Sequence, residues 1–269
     1  EPLLRPDIGK IVDEVKKRGM ECAINSNGYF VPDKIDVLKR VDALCLSLDG
    51  DEAAHVARGP GSFQKVMEAI VCASRHGIPI HTNTVLHKGN LHAIEFVLEL
   101  ARKYGFLAEF NVAIDHITPT GKPSEHKSGD EDIKEALRKL IRYKKQGHNI
   151  LFSEKAMALT LAWPAYATEA YYHTSPAFKH PPCYAGKYFC FVDTNGDVYP
   201  CPHLIGRVKP VNAASSGFKT AFKGLDGHHC RACYQVYHNE FNSLFDLDPA
   251  VILNYARISL AGIFRRRRG

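Results

Sequence analysis

The sequence predicts an α/β fold built on a parallel sheet, followed by a small α+β module rich in cysteine. Three observations carry this. Apolar strand-like runs alternate with amphipathic helical stretches through the first 115 residues or so. The strands all end on polar residues. Five of the eight cysteines crowd the last third of the chain. Strands alternating with crossover helices imply a parallel sheet with helices outside it, either a closed barrel or an open doubly wound sheet. In both, ligands bind at the C-terminal strand ends.

The elements read as follows. Residues 6–18 carry apolar positions at helical spacing, and Gly19 stops the run. MECAIN (20–25) is a strand, and 32–40, opening on Pro32, is helical. DALCLSL (42–48) is a second strand, and 61–77 is an amphipathic helix starting at Ser62 and ending at Gly77. IPIHTNTV (78–85) is a third strand, 91–105 a helix closed by glycine, and FLAEFNVAI (106–114) a fourth strand. Their polar ends are Asn25-Ser26-Asn27-Gly28, Ser47-Leu48-Asp49-Gly50, Asn83-Thr84 and Asp115-His116. Asp49 is also suited to capping the helix that follows it.

The character changes after Pro119. A polar loop (118–132) leads into a charged helix (131–146), and 154–173 reads as an aromatic-rich helix interrupted at Pro164. Thr194-Asn195-Gly196-Asp197 lies between two strand-like runs, a hairpin signal. Residues 215–224 form a short helix, and the tail from Tyr234 is mostly helical. The expected division is 1–118, a connecting segment 119–180, and a cysteine-rich module with C-terminal helices, 181–269.

Composition is that of a globular chain, 45% hydrophobic and 24% charged. The net charge of +6 owes much to the final FRRRRG. Such a like-charge run reads most simply as a solvated tail, so nucleic acid is not an expected partner. No run of about 18 apolar residues exists to span a membrane, and no signal peptide is visible. A cytoplasmic setting is expected.

Cys22, Cys45 and Cys72 lie singly in apolar runs and read as small buried hydrophobes. Cys190, within a hairpin strand, reads the same way. The other four follow the pattern Cys183-x12-Gly196-x4-Cys201, a gap of 28 residues, then Cys230-x2-Cys233. The hairpin brings its two ends together, and a C-x-x-C turn can aim two thiolates at one centre. In a reducing compartment such a set favours metal over disulfide. Four thiolates suit zinc and an iron–sulfur cluster alike.

This cysteine pattern resembles the Twitch form of the SPASM auxiliary-cluster domain, which follows the catalytic barrel in many radical S-adenosylmethionine (SAM) enzymes. The N-terminal half resembles the same family. Glu1-Pro2 is similar to the end of its Gly-Gly-Glu-Pro motif, NSNGYF (25–30) to its Asn-Gly segment, and LSLDGDEAAHVARGPGSFQKVMEAI (46–70) and HTNTVLHKGN (81–90) to the stretches after two later strands. The resemblance implies a partial (β/α)6 TIM-like barrel lacking its N-terminal strands, with the four strands here being its third to sixth. The defining C-x3-C-x2-C is absent from these residues. The expectation is therefore an N-terminally truncated, inactive form.

The resemblance also implies roles. In the full-length protein a 4Fe–4S cluster would cleave S-adenosylmethionine to a 5′-deoxyadenosyl radical that takes a hydrogen atom from substrate. Glu1 would meet the amino group of S-adenosylmethionine, Ser47 and Arg58 its carboxylate, and Asn27 and Asn83 its ribose or methionine atoms. Cys183, Cys201, Cys230 and Cys233 would ligate an auxiliary 4Fe–4S cluster that relays electrons in an oxidation. Asp115 and His116, at the last strand end, are candidate catalytic bases. Trp163, Tyr166, Tyr171, Tyr172 and His173 read as packing aromatics, with a substrate pocket as the alternative. Expected partners are a peptide or small-molecule substrate and an electron donor such as flavodoxin or ferredoxin. The rival is a non-catalytic α/β binding protein with a structural four-cysteine zinc site.

Overall fold

The computed structural model describes residues 1–114, 128–166, 170–171, 174–225 and 230–266. Contacts divide the chain into two compact units. The first holds residues 1–113 and the described residues up to Leu161; the second holds Ile114 and the described residues from Ala162 onward.

In the first unit, helix α1 (Ile8–Lys17) buries Ile8 and Val12 and precedes strand β1 (Ala23–Ser26). The predicted helix 32–40 is one 3-10 turn followed by the short α2 (Ile35–Leu38). Strand β2 (Ala43–Ser47) leads to α3 (Glu52–His55), α4 (Ser62–Arg75) and β3 (Ile80–Leu86). Then come α5 (Ile94–Tyr104), β4 (Leu107–Val112), α6 (Asp130–Lys145) and α7 (Glu154–Leu161). The helices of the expected connecting segment, α6 and α7, lie in this unit. The sheet order is β1-β2-β3-β4, and every pairing is parallel.

The register gives the sheet two unlike faces. Ile24, Leu44, Leu46, Thr82, Thr84, Leu86, Ala108, Phe110 and Val112 alternate onto one face and are buried. They form the core with Val66, Ala69 and Ile70 of α4 and Val97, Leu98 and Ala101 of α5. A parallel sheet normally covers both faces with apolar side chains. Here the opposite face carries Asn25, Cys45, Ser47, His81, Asn83, Glu109 and Asn111. That polar face positions the candidate site.

The second unit begins with Trp163 and Tyr166, both buried. The predicted helix does not resume after Pro164 in the described residues; α7 ends at Leu161, and the two-residue strand β5 (Ala170–Tyr171) follows. Proline removes a backbone donor and clashes with the preceding turn, so the break is complete rather than a kink. Tyr172 and His173 lie outside the described residues. The hairpin is present as β6 (Phe191–Val192) and β7 (Asp197–Tyr199), turning at Gly196 with φ 89°. A third strand, β8 (Val211–Asn212), pairs with β7 and was not foreseen. The helix 215–224 is two pieces, α8 (Ala213–Ser216) and α9 (Phe218–Lys223), divided at Gly217. Strand β9 (Ala232–Cys233) pairs antiparallel with β5, and α10 (Val236–Phe245) and α11 (Pro249–Arg266) complete the helical tail.

Two smaller readings need correction. Asp49 does not cap α3; Asp51 does, its carboxylate accepting from the Ala54 N–H at 2.9 Å. Cys22 and Cys72 are half-buried rather than buried. Cys190 packs beside the apolar group Val198, Ala221 and Leu225, as its place in the hairpin suggested.

Candidate functional site

On the polar face of the first unit, adjacent strands set Ser47 beside Asn83, and Asn83 beside Glu109. The Asn111 side-chain amide donates to Asn83 Oδ1 at 3.2 Å. Glu1 is not frayed. Its carboxylate accepts from Ser26 Oγ at 2.9 Å, from the Asn27 N–H at 2.8 Å and from the Leu3 N–H at 3.2 Å. The Asn27 side chain closes a turn by accepting from the Tyr29 N–H at 3.1 Å. Arg58 forms a two-point pair with buried Asp49, Nε to Oδ2 at 2.5 Å and Nη2 to Oδ1 at 3.1 Å. Asp115 and His116 lie outside the described residues.

Sequence reasoning missed Asn111, Glu109, His81 and Cys45 as members of this face. The signal was present in the period-two alternation of H-T-N-T-V and E-F-N-V, which sends His81 and Asn83, and Glu109 and Asn111, to one side. Burial pushes the Glu109 carboxyl up to about 7 and lowers the His81 imidazole. It also raises the Cys45 thiol, with Glu109 adding to that rise.

In the second unit, Cys183, Cys201, Cys230 and Cys233 line one pocket together with His203 and His238. β9 supplies Cys233, and Cys201 precedes a 3-10 turn after β7. The Cys183 N–H donates to the Arg231 carbonyl at 3.2 Å, tying the hairpin's first end to the C-x-x-C turn. No disulfide joins any two cysteines. The thiols feel one another. A hydrogen bond from Cys230 holds Cys183 low, at about 7, and the same contact drives Cys230 up. Burial pushes Cys201 up to about 12 and raises Cys233, with Cys183 adding to both. None of the described lining residues is acidic. This all-thiol set fits a soft metal centre, zinc or a 4Fe–4S cluster.

Fold and site together define a parallel α/β sheet with one polar face, and a second unit with a four-thiol pocket. Residues 1–99 match the Radical SAM superfamily. It is 26% identical over 219 residues to the AdoMet-dependent heme synthase of Nitratidesulfovibrio vulgaris, covering 76% of this chain and 59% of that protein. It is 24% identical over 222 residues to mycofactocin maturase MftC of Mycobacterium tuberculosis, covering 76% and 51%. The PqqA peptide cyclase of Ruegeria pomeroyi is 31% identical over 111 residues, 39% of this chain and 30% of that one. Among solved structures, Streptococcus suis SuiB bound to S-adenosylmethionine shares the fold, with TM-score 0.62 and 15% identity over 84% of this chain and 55% of that chain. The chain thus spans between half and two thirds of the heme synthase and MftC lengths. Among the described residues no helix is long and apolar enough to cross a membrane.

Proposed function

We propose that the chain is part of a radical SAM enzyme that oxidises a peptide. In this reading Cys183, Cys201, Cys230 and Cys233 hold an auxiliary 4Fe–4S cluster in a SPASM/Twitch-like module. The observation that carries it is the convergence of four thiols on one pocket in a chain whose first 99 residues match the radical SAM superfamily. The four-stranded sheet is then the remainder of a partial (β/α)6 barrel, its polar face turned to the lumen. A peptide substrate is favoured by the names of two similar proteins, a PqqA peptide cyclase and SuiB bound to its precursor peptide SuiA.

S-adenosylmethionine and its 4Fe–4S cluster, when bound in the whole protein, supply a radical able to take hydrogen from an unactivated carbon. The residues of this chain orient and discharge. Glu1, fixed by Ser26 and the Asn27 N–H, offers its carboxylate to an ammonium group. Asp49 takes Nε and Nη2 of Arg58 and so sets the guanidinium plane, leaving Nη1 to meet a carboxylate with Ser47. Asn27 and Asn83 offer amides to ribose or methionine atoms. Asp115 or His116 accepts the proton released as the substrate radical is oxidised. Cys183, Cys201, Cys230 and Cys233 would fill every ligand position of an auxiliary cluster, which would then supply an electron acceptor rather than a substrate-binding iron. A flavodoxin or ferredoxin serves as the electron partner.

The test is anaerobic reconstitution with iron and sulfide, followed by iron, sulfide and zinc analysis. The expected result is about four irons and four sulfides per chain, abolished by Cys230→Ala with Cys233→Ala. One tightly held zinc at these cysteines with no iron uptake overturns the assignment.

A further inference from the structure

Three donor side chains from three adjacent strands of the first unit converge outside the four-cysteine pocket. Cys45 Sγ, an imidazole nitrogen of His81 and a carboxylate oxygen of Glu109 all lie within 4.8 Å of one another. The register imposes this. Cys45 and His81 are paired across β2 and β3, and Glu109 stands one row further on, opposite Asn83. All three sit on the polar face, Cys45 buried and the other two half-buried.

Arg58 acts on Cys45 electrostatically but is itself paired with Asp49. Among the described residues no hydrogen bond or ion pair reaches the Glu109 carboxylate. A carboxylate withdrawn from water without a partner costs several kcal/mol unless it is neutralised or coordinates a cation. The surroundings of Glu109 push it toward the protonated form, through burial alone. His81 is likewise held toward neutrality, the form in which an imidazole binds metal.

We propose that Cys45, His81 and Glu109 form a binding site for a borderline divalent cation, with zinc the favoured ion. One sulfur, one nitrogen and one oxygen match the donors zinc accepts, at about 2.3, 2.0–2.1 and 2.0–2.2 Å respectively. A tetrahedral shell of those lengths sets its donors about 3.3–3.7 Å apart. From separations of at most 4.8 Å the donors need to close by no more than about 1.5 Å. Hard cations such as magnesium and calcium are disfavoured by the thiol and the imidazole. Three protein ligands leave the fourth position to water or to a group of the substrate, the arrangement of an exchangeable rather than a closed structural site. The proposal stands independently of the radical SAM reading.

The experiment is zinc titration of the full chain after chelator treatment, with a chromophoric chelator as competitor. It uses a Cys183→Ala, Cys201→Ala, Cys230→Ala, Cys233→Ala background, which removes every thiol of the four-cysteine pocket. One equivalent should remain on that background, and Cys45→Ser, His81→Gln or Glu109→Gln should each weaken it at least about tenfold, as the loss of a directly bound group requires. Glu109→Gln keeps the side-chain shape and decides the matter if a bulkier change impairs folding. Cobalt substitution adds a second readout, a thiolate-to-cobalt absorption that is present on the background and absent from its Cys45→Ser form. No bound equivalent on the background, or one that none of the three substitutions weakens, overturns the proposal.

Discussion

His55 shows how a single side chain ties the first unit to pH. It is buried at the end of α3, and its Nδ1 accepts from the Asp49 N–H at 3.1 Å, which fixes the neutral ring. Burial lowers its pKa, against the opposing pull of Asp49 and with help from Arg58. An imidazole depressed in the folded state takes up its proton in the unfolded chain first. Its stabilising contribution is therefore present above the unfolded value, about 6.5, and is lost as pH falls from there through the folded value. The slope from one such group is at most about 1.4 kcal/mol per pH unit. His55→Asn keeps an acceptor for the Asp49 N–H and cannot charge, so its unfolding midpoint should fall less than the parent's between pH 6.5 and 5. Urea titrations at the two pH values give that difference; identical falls would remove His55 from the account. None of this was legible in the sequence, because His55 is one of 14 histidines and only the folded loop brings the Asp49 amide to it. Ser47 and Asn83 were legible, because a parallel strand's C-terminal end is where ligand-facing residues belong. Glu109 was passed over because it lies near the strand's start, where the same rule is silent.

At the scale of elements, the turn after β2 depends on a residue with no side chain. Gly50 has φ 144°, and a Cβ built there would lie 2.5 Å from the Ala93 Cβ and 2.8 Å from the Ala54 Cβ. The backbone of this turn is thus wedged between α3 and the 3-10 turn that precedes α5. Gly50→Ala must open that contact as well as accept an unfavourable backbone conformation, at a combined cost of about 2–4 kcal/mol. Thermal unfolding of the variant followed by circular dichroism should show a clear loss of stability in the first unit, whereas Gly59→Ala, also at positive φ but with nothing within 4 Å, should lose less. Equal losses would show that only backbone strain matters. The strands and the longer helices up to Val112 were readable because each has an apolar stripe with its own period, which the four-residue α3 is too short to show. Beyond Leu161 the strands shrink to two or three residues: β5, β6, β8 and β9 hold too few side chains to display a period, and pairing partners such as Ala170 and Cys233 are more than sixty residues apart. Among these strands only the β6–β7 hairpin announced itself, because the chemistry of its Asn-Gly turn is local.

At the scale of the molecule, each unit has its own core, so a single unfolding equilibrium is not expected to describe both. The chain contains one tryptophan, Trp163, and it lies in the second unit. Its ring meets Phe178, His180 and Tyr234 at centroid distances of 5.3, 5.6 and 6.1 Å. Tyr234 directly follows the ligand candidate Cys233, so tryptophan emission reports on the cysteine module. Four clustered thiols, two buried and two half-buried, with raised or mutually dependent proton affinities form a weak core until something soft binds them. Metal binding to such a set becomes folding free energy, because the unfolded chain offers no preformed site. Loading with metal, as zinc or as iron and sulfide, should therefore raise the midpoint followed by Trp163 emission wavelength by roughly 10 °C or more, on the scale of a few kcal/mol per domain. The Cys230→Ala, Cys233→Ala form should show no such rise. Hydrogen exchange in β2, β3 and β4, measured on the same samples, distinguishes the two candidate centres. Protection gained only around residues 183–233 assigns the stabilisation to the four cysteines, while protection gained across Cys45, His81 and Glu109 in the form with all four cysteines changed to alanine assigns it to the sheet. A Trp163 midpoint unmoved by any metal would mean that the pocket is held by its apolar neighbours alone, and the cysteines would lose their standing as ligands.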